Sequence, residues 1–203
     1  LDLSAQDVLC PVVPMFHVMA WGLPFTGVMM GSKLVLPGPH LDPVSLLELY
    51  EGERVTKTAG VPTIWLGVLQ TLQKDPARFK LVPGMEMVVG GSAAPEAMIR
   101  GFDEFNLKVL HAWGMTETSP LGTTSRLKPH LKQRSPDEQY AYRATQGIPT
   151  PLVEVRAVGE RGVVPWDGKS MGELEVRGPW VAQSYFRLES ERDKWTPDGW
   201  FRT

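Results

Sequence analysis

The sequence predicts a doubly wound α/β fold, a mainly parallel sheet with helices on both faces, followed by a small β-rich, barrel-like subdomain. Two observations carry this prediction. Over the first part of the chain, short apolar runs typical of buried strands alternate with amphipathic segments, which favours parallel strands joined by helical crossovers. From Gly147 onward, short strand-like runs are separated by turns, which is typical of a small barrel or sandwich.

The predicted strands of the α/β part are short apolar runs that end at proline, glycine or a polar turn. They are Val8–Val13, Lys33–Leu36, Val55–Thr58, Met85–Val89 and Leu107–Leu110. A helix is predicted to begin at or just after Pro43, Pro62 and Pro95, because proline is favoured in the first turn of a helix. Asp42 directly precedes the first of these prolines and is a typical N-cap residue.

Changes in composition divide the chain into three parts. Residues 1–124 hold the α/β pattern. Residues 125–146 are polar and charged, and we interpret them as a surface excursion with one short helix from Pro136. Residues 147–203 form the β-rich part. Its predicted strands are Val153–Val158, Gly172–Arg177 and Val181–Phe186.

The composition excludes several classes of protein. The 203-residue chain is 42% hydrophobic with a formal net charge of -2, so it lacks the basic surplus that would favour nucleic acid as a partner. Its single cysteine, Cys10, excludes an internal disulfide and favours a reducing compartment, most simply the cytosol. The longest mostly apolar stretch, Val18–Met30, is interrupted by glycine and proline and is shorter than the roughly 18 residues of a transmembrane helix.

Ligands of parallel sheets usually bind at the carboxyl ends of the strands, which draws attention to three loops. The most informative loop reads HAWGMTETSP from His111. Gly114 allows a close backbone approach to a ligand, Thr116 offers a hydroxyl, and Glu117 offers a carboxylate suited to Mg²⁺ near a phosphate. Trp113 offers a flat face on which a base can stack. The alternative interpretation is a polar turn with a packed tryptophan.

The other two loops hold small residues and an apolar segment. VVGGSAAP, from Val88, places two glycines and Ser92 between a strand and a helix, where N–H groups bind anions; the alternative is a tight turn. It matches neither the dinucleotide nor the Walker glycine pattern, and Ser92 lacks the G-x-S-x-G context of a hydrolase nucleophile. PMFHVMAWGLP holds His17, which could orient a carboxylate, and Trp21. Its methionines suit either packing or a pliable apolar tunnel.

These segments occur together and in one order, and the combination resembles the adenylate-forming acyl-CoA synthetases, the superfamily that also holds luciferases and peptide-synthetase adenylation domains. PMFHVMAWG resembles the acyl-pocket motif, and VGGSAAP and HAWGMTETSP resemble the adenine and phosphate segments. GELEVRGPWVAQSYFR resembles the stretch that ends in a tyrosine near the ligand cleft, and DGWFRT the start of a DGW-[FL]-x-TGD motif. The first two segments look most like bacterial medium- and long-chain fatty acid–CoA ligases. HAWGMTE also looks like ligases of short thio-substituted propionates.

The resemblance implies an ATP-dependent ligase that uses Mg²⁺ and coenzyme A. It would convert a carboxylic acid, expected to be a fatty acid, to an acyl-adenylate and then to a thioester of coenzyme A. The resemblance assigns Thr116 to the phosphate and Glu117 to Mg²⁺ as the catalytic residues, and His17, Trp21 and Gly91 to the acid. The residues that it assigns to the nucleotide are Gly91, Ser92, Ala93, His111, Ala112, Trp113, Gly114 and Thr116.

The resemblance also implies that the chain is a piece of a longer protein. The family's phosphate loop, its ribose-binding aspartate, expected shortly after Thr203, and its C-terminal lid domain with the adenylation lysine are not in these residues. The isolated chain is therefore expected to be inactive. Two alternatives stay open, namely a fatty acyl-AMP ligase that loads a carrier protein and a non-catalytic nucleotide- or acyl-binding module. A homodimer is compatible with the resemblance.

Overall fold

The computed structural model describes residues 2–203, which divide into two compact units. The first unit comprises the residues up to Trp113 together with Thr123–Ile148, and the second comprises Gly114–Gly122 together with Pro149–Thr203. The chain therefore passes into the second unit within the HAWGMTETSP segment, returns to the first, and leaves it again after Ile148. The boundaries at residues 124 and 146 stay predictions.

The first unit is built on a mostly parallel sheet. Its strands are β1 (Val8–Pro11), β2 (Lys33–Leu34), β3 (Lys57–Gly60), β4 (Glu86–Val89), β5 (Lys108–Gly114), β6 (Leu121–Thr124) and β7 (Ile148–Pro149). The strand order is β2-β1-β3-β4-β5-β6-β7, and β1 to β5 pair in parallel. Thr58 of β3 stands in register with Cys10 and with Met87. All five strands predicted for the α/β part are present, although β2 is two residues long.

The helices of the first unit connect these strands. They are α1 (Val18–Trp21), α2 (Leu23–Met30), α3 (Pro43–Glu53), α4 (Pro62–Lys74), α5 (Glu96–Glu104) and α6 (Pro136–Arg143), and a 3-10 helix covers Pro129–Gln133. The helices predicted from the three prolines and from Pro136 are confirmed. Asp42 caps α3, since its Oδ1 accepts a hydrogen bond from the Ser45 N–H at 3.0 Å.

The core of the first unit lies between the sheet and helices α3, α4 and α5. Trp65 and Phe102 are fully buried there, and so is Tyr50. The polar atoms that enter this core find partners, because an unpaired buried donor is costly. The Trp65 indole N–H donates to the Val88 carbonyl at 3.3 Å, and the Tyr50 hydroxyl lies 3.1 Å from Thr58 Oγ1. These bonds tie α3 to β3 and α4 to β4, and β4 is followed by the predicted VVGGSAAP loop.

The second unit holds a separate antiparallel sheet. Its strands are β8 (Glu154–Gly159), β9 (Gly162–Val163), β10 (Glu173–Arg177) and β11 (Phe201–Arg202), in the order β11-β10-β8-β9, and 3-10 helices cover Thr116–Thr118 and Glu189–Lys194. A small core of Val153, Val176, Val181 and Phe201 packs in this unit. The prediction of a β-rich part after the α/β part is confirmed.

One predicted strand of the second unit is wrong. Val181–Phe186 is irregular, with no strand assigned over it. The Val181 N–H donates to the Gly178 carbonyl at 3.1 Å, and the Ala182 N–H donates to the Glu117 carbonyl at 2.7 Å. The buried side chain of Val181 produced the strand-like pattern, but these backbone groups are used by a local turn and by the Thr116–Thr118 helix instead of a sheet ladder.

Candidate active site

The residues predicted for the site fall into two groups, one in each unit. The first unit carries His17, Trp21, Gly91, Ser92, Ala93, His111, Ala112 and Trp113, and the second carries Gly114, Thr116 and Glu117. In the first unit, Gly91, Ser92 and Ala93 are exposed in the loop after β4, whereas Ala112 is buried and Trp113 half-buried near the end of β5. Both segments lie at the carboxyl ends of parallel strands, where α/β proteins place their ligands.

The indole of Trp21 lies against the loop that follows β4. A Cβ atom added to Gly90 would stand 3.0 Å from Cη2 of Trp21, and one added to Gly91 would stand 4.0 Å from its Cζ2. Gly91 also has a φ of +80°, which favours glycine. The structure thus brings Trp21 and Gly91 together, as two of the residues assigned to the acid. The sequence motifs did not single out Gly90 as a neighbour of Trp21, although it is the first glycine of the GG pair in VVGGSAAP.

The segment that carries Trp21 has an unusual backbone. Val18, Met19, Ala20 and Trp21 have φ values of 44°, 50°, 51° and 55°, so α1 is a single left-handed helical turn. Such a conformation costs about 1–2 kcal/mol per L-residue, and β-branched Val18 tolerates it poorly. Strained backbone of this kind clusters at functional sites. His17 is exposed just before this turn, and its N–H donates to the Pro14 carbonyl at 3.0 Å.

The side chain of His111 is buried and bonded on both ring nitrogens. Nε2 accepts from the Ala94 N–H at 3.4 Å, and Nδ1 lies 3.1 Å from the Ala144 carbonyl oxygen, which can only accept. These partners require the neutral ring with its proton on Nδ1. Burial lowers the pKa of His111, although hydrogen bonds to the backbone act in the opposite direction. His111 therefore acts on the loop after β4 through the Ala94 backbone.

In the second unit, a tight turn shapes the segment from Gly114 to Pro120. A Cβ atom on Gly114 would stand only 1.6 Å from the Pro120 carbonyl oxygen. Glycine is therefore required here, because the backbone at Gly114 packs directly against the backbone at Pro120. Buried Thr118 closes the turn, because its Oγ1 accepts from the Met115 N–H at 2.8 Å and also bonds to the Pro120 carbonyl. Thr116 is left exposed on the outside of the turn.

Glu117 is held at both its backbone and its side chain. Its carbonyl oxygen accepts from the Ala182 N–H at 2.7 Å, and its Oε1 accepts from the Tyr185 hydroxyl at 2.6 Å. The hydrogen bond to the Glu117 carboxylate, together with burial, raises the pKa of Tyr185 to about 12. Tyr185 is the tyrosine of GELEVRGPWVAQSYFR that the resemblance places near the ligand cleft. Its hydrogen bond to Glu117 was not predicted from the sequence.

The donor set around Glu117 is suited to one kind of metal site. Within residues 2–203, no group of three or more histidine, cysteine or acidic residues is placed to share a metal ion. Mg²⁺ is often bound by one or two carboxylates plus the phosphates of a substrate. The hard carboxylate of Glu117, beside the exposed hydroxyl of Thr116, fits that requirement.

A separate cavity lies away from the predicted residues. It has a volume of about 700 Å³ and is lined in part by Glu86, Lys108, Arg126 and Arg143. Glu86 and Lys108 are the first residues of β4 and β5, so the cavity lies at the amino ends of these strands. None of the residues predicted for the site lines it.

Over the part of the chain that the structure describes, no helix has the length and apolar character needed to cross a membrane.

A parallel sheet with glycine-containing loops at the carboxyl ends of its strands, followed by a β-rich unit, defines an α/β protein of ligand-binding type. Comparison with family models makes the class specific. The model described as "AMP-binding enzyme" matches residues 1–186, and the chain belongs to this family. The resemblance seen in the motifs is therefore confirmed.

Curated relatives cover the whole chain. It is 47% identical over 203 residues to a long-chain-fatty-acid–CoA ligase of Thermus thermophilus, covering 99% of this chain and 37% of the relative. It is 45% identical to a medium-chain-fatty-acid–CoA ligase of Ectopseudomonas oleovorans, covering 100% of this chain and again 37% of the relative. A 3-methylmercaptopropionyl-CoA ligase of Ruegeria pomeroyi is 43% identical, with the same coverage. The chain thus spans little more than a third of the length of these relatives.

Solved structures share the fold. A long-chain-fatty-acid-CoA ligase of Archaeoglobus fulgidus matches with a TM-score of 0.81 at 24% identity, covering 99% of this chain and 41% of that one. An O-succinylbenzoate coenzyme A synthetase of Bacillus subtilis, determined in complex with ATP and magnesium ion, matches with a TM-score of 0.79 at 25% identity. This match covers 100% of this chain and 39% of that one. The α/β fold class predicted from the sequence is confirmed by these structures.

Proposed function

We propose that this chain is part of an ATP-dependent fatty acid–CoA ligase. The protein that carries it, called the full-length ligase below, would join a fatty acid to AMP and then transfer the acyl group to coenzyme A. The observation that carries this proposal is Glu117, a carboxylate held at backbone and side chain within the turn of an AMP-binding family member. Similarity to two fatty acid–CoA ligases at 45% and 47% identity supports the substrate class.

In the first step, a carboxylate oxygen of the fatty acid attacks the α-phosphorus of ATP, and pyrophosphate leaves. Positioning and electrostatic stabilisation dominate such phosphoryl chemistry. We assign Thr116 to hydrogen bonding with the phosphate and Glu117 to holding Mg²⁺. When bound, Mg²⁺ supplies positive charge that offsets the charge of the phosphates. In the second step, the thiol of coenzyme A attacks the acyl carbonyl and AMP leaves.

The first unit supplies the acid contacts and most of the nucleotide contacts in this proposal, whereas Gly114 and Thr116 belong to the second unit. The exposed loop Gly91–Ala93 and the segment Ala112–Trp113 are assigned to the nucleotide, with the Trp113 indole as a stacking face. His111 supports this loop through the Ala94 N–H. Trp21, which lies on Gly90 and Gly91, is assigned to the acyl side together with His17. The left-handed turn that carries Trp21 is the strained element expected at such a site.

The role of Glu117 can be tested by Glu117→Ala in the full-length ligase. We expect fatty-acid-dependent exchange of pyrophosphate into ATP to fall more than about 100-fold, which is the scale for losing a key electrostatic group at a transition state. Glu160→Ala is the matched control, because Glu160 is exposed in the second unit, and it should keep the exchange rate. Unchanged exchange in the Glu117 variant would contradict the assignment.

The acceptor, the location and the assembly of the full-length ligase complete the proposal. Coenzyme A is proposed as the acceptor, and comparing free coenzyme A with an acyl carrier protein as the thiol tests it against the carrier-loading alternative. Absence of fatty-acid-dependent pyrophosphate exchange in the full-length ligase would favour the non-catalytic alternative.

We also propose a cytosolic location, because the single cysteine is buried and unpaired. A homodimer stays a prediction, and the native mass of the full-length ligase tests it.

A further inference from the structure

Tyr185 and Glu117 are joined across 68 residues of sequence within the second unit. The Tyr185 hydroxyl lies 2.6 Å from Glu117 Oε1. A carboxylate can only accept, so the phenol is the donor, and this is a short, charge-assisted hydrogen bond. The mechanism proposed above gives Tyr185 no part.

The segment that carries Tyr185 is itself anchored. The Ala182 N–H donates to the Glu117 carbonyl at 2.7 Å, and the Ala182 carbonyl accepts from the Trp195 indole N–H at 2.7 Å. The ring of Tyr185 packs edge to face with the indole of Trp195, with 5.2 Å between ring centroids and 78° between planes. Tyr185 therefore presents its hydroxyl to Glu117 from a fixed ring, while the Glu117 backbone is fastened to the same segment.

We propose that Tyr185 is a positioning residue that orients the Glu117 carboxylate toward the magnesium–ATP complex. This inference rests on the proposed function. A glutamate side chain has rotatable bonds whose freedom must be lost before it can serve as a ligand. The Tyr185 hydroxyl removes part of that freedom in advance through Oε1. Outer partners that orient a metal ligand in this way typically change metal affinity by about 10–100-fold when they are lost.

The test is Tyr185→Phe in the full-length ligase, which removes one oxygen and keeps the ring on Trp195. The first readout is independent of turnover: Mn²⁺ bound in the presence of ATP, measured by electron paramagnetic resonance of the free ion. We expect the apparent dissociation constant to rise about 10-fold. The second readout is the Mg²⁺ concentration that half-activates pyrophosphate exchange, which should rise by a similar factor while the rate at saturating Mg²⁺ largely recovers. Tyr142→Phe, at an exposed tyrosine of the first unit, is the control and should change neither value.

Two outcomes would overturn the inference. Wild-type Mn²⁺ affinity in Tyr185→Phe would show that the hydrogen bond does not prepare the ligand, and tighter binding would show that it competes with the metal. The two single variants separate this inference from the proposed function. If Glu117→Ala abolishes pyrophosphate exchange and Tyr185→Phe changes neither readout, only the inference fails. If Glu117→Ala leaves exchange unchanged, the proposed role of Glu117 fails and the inference fails with it.

A double variant adds a further check. In the Glu117→Ala background, Tyr185→Phe should cause no further loss of Mn²⁺ affinity, because the carboxylate that it orients is already gone.

Discussion

At the scale of single residues, His111 shows how a buried polar side chain is fixed by its surroundings. It is 1% exposed, and its two ring nitrogens contact groups of opposite polarity, a backbone N–H and a backbone carbonyl. Protonation of Nε2 would turn its hydrogen bond with the Ala94 N–H into a contact between two donors. The site therefore favours the neutral ring, and the loop after β4 depends on it.

This arrangement predicts a pH dependence of stability. The pKa of His111 is lower in the folded protein than in the unfolded chain, where it is near the ordinary value of about 6.5. Below that value the unfolded state takes up a proton that the folded state resists, so the contribution of His111 to stability is fully present above about pH 6.5 and decreases as the pH falls toward the folded pKa. We expect the thermal midpoint of the full-length ligase to fall between pH 7.5 and pH 5 by more than that of a His111→Asn variant.

His130→Asn serves as the control for this experiment, because His130 is exposed in the same unit. It should leave the pH dependence of the midpoint as in the wild type. An identical pH profile for His111→Asn and the wild type would show that His111 is not held neutral by its two backbone partners.

At the scale of elements, α1 stands apart from the other helices. The helices α3, α4 and α6 each begin at a proline, and α5 begins directly after Pro95, all in the ordinary right-handed form. In α1, four consecutive non-glycine residues are left-handed instead. The contacts that the turn makes must compensate this backbone strain. They include the burial of Ala20 and the packing of the Trp21 indole on Gly90.

Glycine scanning distinguishes this turn from an ordinary helix. Met19 is 57% exposed and has a φ of 50°. Met19→Gly therefore removes the steric strain of a left-handed L-residue, but it also raises the conformational entropy of the unfolded chain, which opposes folding. We expect a net change between zero and a gain of about 1 kcal/mol in the free energy of unfolding. Gln70→Gly, at an exposed position inside α4, should instead cost about 1 kcal/mol. Chemical denaturation of the full-length ligase measures both, and equal losses at the two positions would contradict the left-handed turn.

At the scale of the whole molecule, the chain covers 37% of the length of its curated relatives. The resemblance assigns to the remainder the phosphate loop, the ribose-binding aspartate and the adenylation lysine. Catalysis by positioning requires all reacting groups to be held together, and effective molarities of about 10⁵–10⁸ M are lost when they are not. We therefore expect the purified 203-residue chain to form no acyl-CoA above background in an assay where the full-length ligase turns over.

The assay follows thioester formation from a fatty acid, ATP, Mg²⁺ and coenzyme A, with equal molar amounts of the chain and of the full-length ligase. Circular dichroism of the chain serves as the control, since an unfolded sample would be inactive for a trivial reason. Turnover by the folded 203-residue chain would refute the assignment of essential groups to the rest of the ligase.

The sequence by itself determined the features that depend on neighbouring residues. Proline and aspartate at helix starts predicted α3 and α4, because capping and the fixed φ of proline act within one turn. Alternating apolar runs predicted the parallel sheet, since burial on both faces requires continuous apolar strands. The order of the loop motifs predicted the family, which the comparisons confirm, and it supplied the residues that the proposal assigns to the site. It did not point to Gly90, to the backbone partners of His111 or to the Glu117–Tyr185 hydrogen bond.

The tertiary structure alone decided which of these groups meet. His111 and Ala144 are 33 residues apart, and Glu117 and Tyr185 are 68 residues apart, so no local pattern connects them. Packing also overrode local propensity: Val181–Phe186 has the composition of a strand but gives the Ala182 N–H to Glu117, and Val18–Trp21 takes a left-handed turn that no local preference favours. Local propensities amount to fractions of a kcal/mol per residue, whereas burial of a large side chain and satisfaction of buried hydrogen bonds amount to several, so contacts distant in sequence set the final geometry.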